Sequence, residues 1–545
     1  MHYVLRHHAL RWLALACVAA ASPVLAAGPL PSFAELEGEG AIIGEIRVET
    51  HDMFDLSDPS ENNFFYRAAN ALHIKTQPWF IRSYLLFRTG DYVQTRLIEE
   101  TERLIRQNST VYEVEIRPTK YEDGVVDILV RTRDTWTLQP GIRVRRAGGK
   151  NTGAFNIKES NLAGTGTSLG LERATSVDRT GTLLTLQHDH LFDGWTSIAL
   201  QRASYDDGHN NSLNITRPFY ALDTRWAAGA SVSDFSQLDN FYQAGNNVAQ
   251  YRHDQRAASA FAGYSPGLIN GWTRRYTVGA SYAADEYAFD PGRPPPPQLP
   301  PDRTLAGPFL RYEVIQDDYL QTMNRDLIQR PEYLTMGLTS MVQVGRSLGA
   351  FGATDQPWQV SGNASRGFRF QQPGHQMLAT ANYSALIGSS TGDTRAMGAS
   401  VRYFAPQKEP LLFYFAASTD HVHSPNQADD LLLGGDNGLR GYPLRYQRGQ
   451  HRTLFTFEER YYTDWYPLRL FRVGAAVFAD VGRAWGSETP NPVNGWLSDV
   501  GIGIRFLSAR ASFGNILHID LAFPINRSDQ SIRPYQVLVQ TGKTF

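Results

Sequence analysis

Gly434-Gly435-Asp436-Asn437-Gly438-Leu439-Arg440-Gly441-Tyr442-Pro443 is a glycine-dense stretch carrying one arginine between two runs of alternating residues. It reads as a long hairpin connection, because glycines let a backbone fold back on itself and leave Arg440 little neighbouring bulk. An arginine so placed needs a carboxylate. The candidate lies downstream, in Arg472-Val473-Gly474-Ala475-Ala476-Val477-Phe478-Ala479-Asp480-Val481-Gly482. A strand has period two, so Val473, Ala475, Val477, Ala479 and Val481 share one face, and Arg472, Gly474, Phe478, Asp480 and Gly482 the other. The pattern repeats twice. Val500, Ile502, Ile504 and Phe506 oppose Asp499, Gly501, Gly503 and Arg505; Leu517, Ile519, Leu521 and Phe523 oppose Ile516, His518, Asp520 and Ala522. In a soluble sandwich the charged face meets solvent, whereas in a membrane barrel the oily face meets lipid and the charged face lines the lumen. Periodicity alone does not choose.

The first residues do. Met1 to Arg11 is a basic region, Trp12 to Ala21 an apolar one, and Val24-Leu25-Ala26 a cleavage site, so residues 1–26 read as a secretory signal. Cys17, the only cysteine, lies within it, which leaves the exported chain without a disulfide. No later run is long and apolar enough for a membrane-spanning helix. A mean hydropathy of -0.35 suits a soluble protein, but a barrel escapes that test because only alternate residues meet lipid. A net charge of only -2 argues against a nucleic-acid partner, and 47 glycines with 12% aromatics suit turns and girdles.

Residues 27–40 read as a flexible lead, and residues 41–134 as a mixed α/β unit. Ile42, Gly44, Ile46 and Val48 alternate in a first strand; a short helix is expected around Phe64 to Leu72 and another over Phe80 to Phe87. Thr95 then caps a helix whose Leu97, Ile98, Thr101, Leu104 and Ile105 share one face, with Glu99, Glu100, Glu102 and Arg103 on the other. Two strands follow, joined through Glu122-Asp123-Gly124. From 135 to 545 the chain is alternating segments separated by turns, about twenty of them by count. Pro294 to Pro297 cannot donate to a ladder and belongs in a loop, read as extracellular. The fold class is therefore mainly β.

The unit at 41–134 resembles a POTRA domain, the periplasmic module of outer-membrane assembly barrels, and Leu86-Phe87-Arg88-Thr89-Gly90-Asp91 is similar to the turn between its helices. Gly438-Leu439-Arg440-Gly441-Tyr442 resembles the arginine-glycine-aromatic loop motif of the BamA/TamA superfamily, of bacterial surface antigen type. Phe478 to Gly482 is similar to its later strand motif, Glu458 and Arg460 to its luminal pair, and Thr541 to Phe545 to its terminus. Each motif is short; four in chain order are specific. The resemblance implies a barrel of about sixteen strands, fewer than the segment count. It also implies a POTRA domain in the periplasm and Phe545 as the assembly signal; the chain departs from the family in having room for a single POTRA domain where the assembly members generally carry several, and its strand faces make Asp480, with Glu458 or Asp520 nearby, the expected luminal partners of Arg440. The implied function is assistance to insertion or translocation of a client polypeptide, or of lipid. The client would add a strand at the POTRA edge or at a weak seam between first and last strands. The implied partners are outer-membrane lipid and that client, the barrel itself being monomeric. The alternative is a passive channel or structural barrel without insertase activity.

Catalytic chemistry is not expected. Gly388-Ser389-Ser390-Thr391-Gly392 matches a nucleophile-elbow pattern, but it sits between alternating segments and reads as a hairpin loop. His188 with His190 and His421 with His423 can each share a strand face; no third ligand stands at metal-binding spacing. No cofactor is expected. Deleting Phe545 is predicted to reduce assembly, read as the heat-modifiable band of a folded barrel on a detergent gel, far more than deleting one residue from the 293–301 loop.

Overall fold

A computed structural model describes residues 30–542 except 109, 192–193, 293, 297, 425–429, 487–492, 510–515 and 528–529. The expected signal at 1–26 and Phe545 lie outside the described residues. The chain opens with α1 (Phe33–Gly38), β1 (Ile42–His51), α2 (Phe64–Leu72), α3 (Pro78–Arg82), α4 (Thr95–Gln107), β2 (Val111–Glu122) and β3 (Val125–Asp134). β3 is central, parallel to β1 and antiparallel to β2. The hairpin between β2 and β3 turns on Asp123 and Gly124, both at positive φ (49° and 78°), the geometry that matches strand twist. Leu36, Ile43, Phe80, Ile81, Ile98, Ile105, Val114, Ile128 and Val130 form the core of this unit.

Four local readings need correction. Residues 27–40 do not form a flexible lead throughout: Ser32 and Glu35 close a capping box on α1, and Leu36 is fully buried in the core. α3 begins two residues before Phe80 and ends at Arg82, with Pro78 in its first turn, where a missing N–H costs nothing. Thr95 does not cap α4; Gln94 holds that position without a side-chain bond, and the Glu37 carboxylate of α1 accepts the Thr95 N–H at 3.0 Å. Glu100, assigned to the solvent face, is buried because it accepts the Leu222 N–H of a barrel turn at 2.8 Å. Burial pushes its carboxyl above the ordinary value.

Residues 138–542 form one closed antiparallel sheet of twenty strands, from Leu138–Ala147 to Gln536–Gly542, with Leu268–Ile269 a two-residue extension at one turn. The figure of sixteen is therefore overturned in favour of the segment count. Trp226–Gln243, Asn246–Tyr264 and Trp272–Phe289 pair along nearly their whole lengths, so none of these segments is left over to fold into a loop. Alternation chose the right faces. In Leu497–Ser508, Asp499, Gly501, Gly503 and Arg505 are buried inside, while Val500, Ile502 and Ile504 are exposed outside.

An even strand number puts both barrel ends on one rim, and the α/β unit is held against it. Gln77 donates its N–H to Gly164 (2.9 Å), Asn161 donates to the Thr76 hydroxyl (2.7 Å), Tyr66 donates to the Leu468 carbonyl (2.6 Å), and Arg96 pairs with Asp223. Gly166, at φ +74°, lies so close to the Phe80 ring that a Cβ would stand 1.9 Å from Cζ. Gly166→Val should thus cost about 1–3 kcal/mol of docking through overpacking alone. The expected readout is severalfold faster proteolysis of the 134–138 linker with the heat-modifiable barrel intact; unchanged cleavage would mean the contact does not hold the unit.

Candidate functional site

The connection between Leu411–His423 and His451–Tyr462 leaves the rim opposite the α/β unit. It pairs Leu431–Leu433 with Gln447–Gly449 and folds the residues between them into the lumen. Two glycines make that path possible. Gly438 has φ +127° and would drive a Cβ to 2.2 Å from Leu454, and a Cβ on Gly441 would meet Asp499 at 2.8 Å and the Pro524 backbone at 3.0 Å. Leu439 and Tyr442, both fully buried, pack with Leu433, Tyr446, Ala484 and Leu497. The Tyr442 hydroxyl lies 3.0 Å from the Ser498 and Asn526 carbonyls, which fixes the far side of the turn.

Arg440 sits at the bottom. Its Nε and Nη2 donate to the two oxygens of Asp480 at 2.7 and 3.0 Å, a fork matched to a carboxylate. Nη1 donates to Glu458 at 3.0 Å and stands 3.6 Å from Asp520, and the guanidinium lies 3.4 Å over the centre of the Phe478 ring. Register explains the convergence: Glu458 pairs with Phe478, which pairs with Gly501, while Thr456 pairs with Asp480, which pairs with Asp499. Glycine at 501 leaves room for the Phe478 ring, whose Cζ would lie 2.3 Å from a Cβ there. Gly482 makes similar room further along the same strand, beside Leu433 and Leu454.

All the luminal residues singled out from sequence meet here. Arg460 donates to Glu458 at 2.9 Å and to the Arg325 carbonyl at 2.9 Å, and covers the Tyr414 ring. Sequence reasoning missed Asp499, which accepts the Gly441 N–H at 3.0 Å, and Arg505, which pairs with Asp520. Both stand on the face already identified as interior; the available signal was their register opposite Asp480 and His518. The site thus gathers three guanidiniums and four carboxylates, all but Arg440 buried below a tenth exposed. Arg440, Gly441 and Tyr442 hold the loop to the wall, while Arg460–Glu458 and Arg505–Asp520 tie wall residues to one another.

The other candidates fall outside it. Ser390 lies in a hairpin turn and donates to Asp355 (3.0 Å). His188 bonds Thr167, His190 packs on Tyr84 and Trp195, and His421 bonds His451 rather than His423. Among the described residues no group of three suitable side chains could hold a metal.

Removing Arg440 strands buried carboxylates, a cost of about 3–5 kcal/mol. Arg440→Ala should lower the detergent-gel unfolding temperature, and Arg440→Lys should restore little because one ammonium cannot span both Asp480 oxygens. The double variant Arg440→Ala/Asp480→Ala should be no worse than either single one. Strictly additive losses in the cycle would refute the coupling.

The model of the Omp85 superfamily domain matches residues 161–545. No curated protein matches the chain. Among solved structures it is similar to BamA from Haemophilus ducreyi lacking POTRA domains 1-3, with 13% identity, 91% of this chain and 85% of that one covered, and TM-score 0.39. CdiB from Acinetobacter baumannii gives 12%, 92%, 73% and 0.45, and CdiB from Escherichia coli 11%, 92%, 76% and 0.47. The family match spans most of the barrel, including the loop with Arg440 and the strands that bind it, and the chain belongs to the Omp85 superfamily of outer-membrane barrels.

Proposed function

We propose that this barrel helps client polypeptides into or across the outer membrane, with the α/β unit at 41–134 as a single periplasmic POTRA-type domain and no chemical step of its own. The observation that carries the reading is the junction of the first and last strands. Among the described residues Gln536–Gly542 and Leu138–Ala147 share one registered pair, Val539 with Arg146. Their other neighbours pair along the whole strand. A sheet edge left unpaired is a template for another strand, and a client strand added there is held by main-chain hydrogen bonds.

The α/β unit offers a second edge. β1 and β2 are the outer strands of its sheet. The start of β1 is already covered: Gly90 donates to Ile43, Val93 to Ala41, and Arg82 to Ile46. β2 is covered at fewer points, Arg106 donating to its Val114 carbonyl at 2.9 Å, and Pro118 with its bulge ends the stretch that a client strand could use.

Arg146→Cys/Val539→Cys tests the seam, in a background where Cys17→Ala removes the only native cysteine. Opposed residues bring Cβ atoms to about 4.5–5.5 Å, near enough for a disulfide after small adjustment. The oxidised variant should fail to restore outer-membrane client levels in a deletion strain, and reductant should recover them. Full restoration by the locked barrel would defeat the seam, and a deletion that changes only solute permeability would favour the passive channel.

A further inference from the structure

The α/β unit carries an apolar surface that its own core does not use. Within residues 64–79, Phe64 is 71% exposed, Phe65 77%, Leu72 76%, Ile74 58% and Trp79 51%. A soluble surface seldom leaves so many large apolar side chains bare in so short a stretch. In α2 the buried side is Tyr66, stacked on Phe54 in a cluster that Leu56, Trp136 and Leu470 complete. Phe65 and Leu72, seven residues apart, point away from it together.

Its position is set at both ends. Tyr66 is bonded to Leu468 in the turn between His451–Tyr462 and Phe471–Trp485, and Thr76 and Gln77 are bonded to Asn161 and Gly164 in the turn after Lys150–Leu162. Around the barrel, the strands between those two turns include the last and the first. The stretch is therefore tied at its two ends to turns of one rim, one on each side of the seam. The turn at its first end exposes apolar groups too, Trp465 at 61% and Leu468 at 73%. On the wall above, Val477, Val500, Ile502, Ile504 and Ile519 face outward as the lipid belt. The apolar stretch carries Arg67 and Lys75 within it. Aromatic and aliphatic groups next to basic ones are the composition of a membrane interface.

The geometry points to a lipid-binding shelf: Phe64, Phe65, Leu72, Ile74 and Trp79 seat in the periplasmic leaflet of the outer membrane beneath the seam. The shelf needs only the outer-membrane placement that the family gives, and holds whether or not the seam opens for clients. It would bind acyl chains.

Spin labels at Phe65→Cys and Ile74→Cys, each in the full chain with Cys17→Ala and reconstituted in phospholipid vesicles, test this. Lipid-buried labels favour dissolved oxygen over a water-soluble nickel complex. Both sites should match a label at Val477→Cys on the lipid belt and exceed Lys120→Cys, at the far end of β2, severalfold in oxygen-to-nickel ratio. A ratio equal to that of Lys120→Cys overturns the shelf. Protection that appears only when an extended client peptide is added also overturns it, and makes the surface a client platform. Phe64→Ser/Phe65→Ser gives a second reading: an intact heat-modifiable band with unchanged labelling at Val477 but water-exposed Ile74 supports the shelf. Ile74 still in lipid with both serines in place overturns a shelf seated through Phe64 and Phe65.

Discussion

A guanidinium buried against two carboxylates organises this barrel. Desolvating a charge costs several kcal/mol per ion, and mutual attraction offsets that only where geometry is near ideal and the remaining lone pairs are satisfied. Arg440 meets those terms: both Asp480 oxygens, one Glu458 oxygen and the Phe478 face surround it. Asp480 has a further donor in Thr456 at 2.8 Å, and Glu458 has Arg460. The cluster is stable only as a whole. That is why a loop from the opposite rim has to reach into the lumen, and why it carries the glycines that let it do so.

The same constraint shapes the strands that receive it. Small residues at 501 and 503 alternate with lipid-facing Val500, Ile502 and Ile504, so the inner face has room for Phe478 and the Arg505–Asp520 pair while the outer face stays apolar. A Cβ at 503 would fall 1.8 Å from an Asp520 oxygen. The polar interior thus depends on glycine, in strands that pair along their lengths with both neighbours.

Much of this was legible. A lone arginine in a glycine loop and a carboxylate on the inner face of an alternating strand are enough to pair Arg440 with Asp480, because period two leaves only one face for each. Strand number was legible from the count of alternating segments, and the resemblance-based figure was too low because it carried over the family's number, whereas segments such as Asn246–Tyr264 are real ladders here. What sequence could not give depends on tertiary approach. Glu100 has the surroundings of a surface residue on its own helix and is buried only because Leu222 comes to it from 122 residues away. α1 is a different case: Ser32 and Glu35 form a readable capping box, in a stretch too short for helical periodicity to show. The full seven-member charge cluster needed register across four strands, which no single motif encodes.

The loop also joins what the ladder does not. Its deep end is fixed to late strands through Asp480, Asp499 and the Tyr442 hydroxyl. Its outer end is fixed to early ones. Arg445 forms a two-bond fork with Asp178, in the connection between Thr167–Thr175 and Thr180–Leu191, at 2.7 and 2.6 Å. Leu444 packs with Ala147, at the tip of the first hairpin, and with Leu538 of the last strand, against a Gly148 too close for any Cβ. Inside the barrel, one chain segment therefore spans the junction at which, among the described residues, Val539 and Arg146 form the registered pair. One loop therefore touches the buried cluster through Arg440, the first hairpin and the last strand through Leu444, and the 176–179 connection through Arg445, so the charge pairing that fixes its deep end also places its outer contacts.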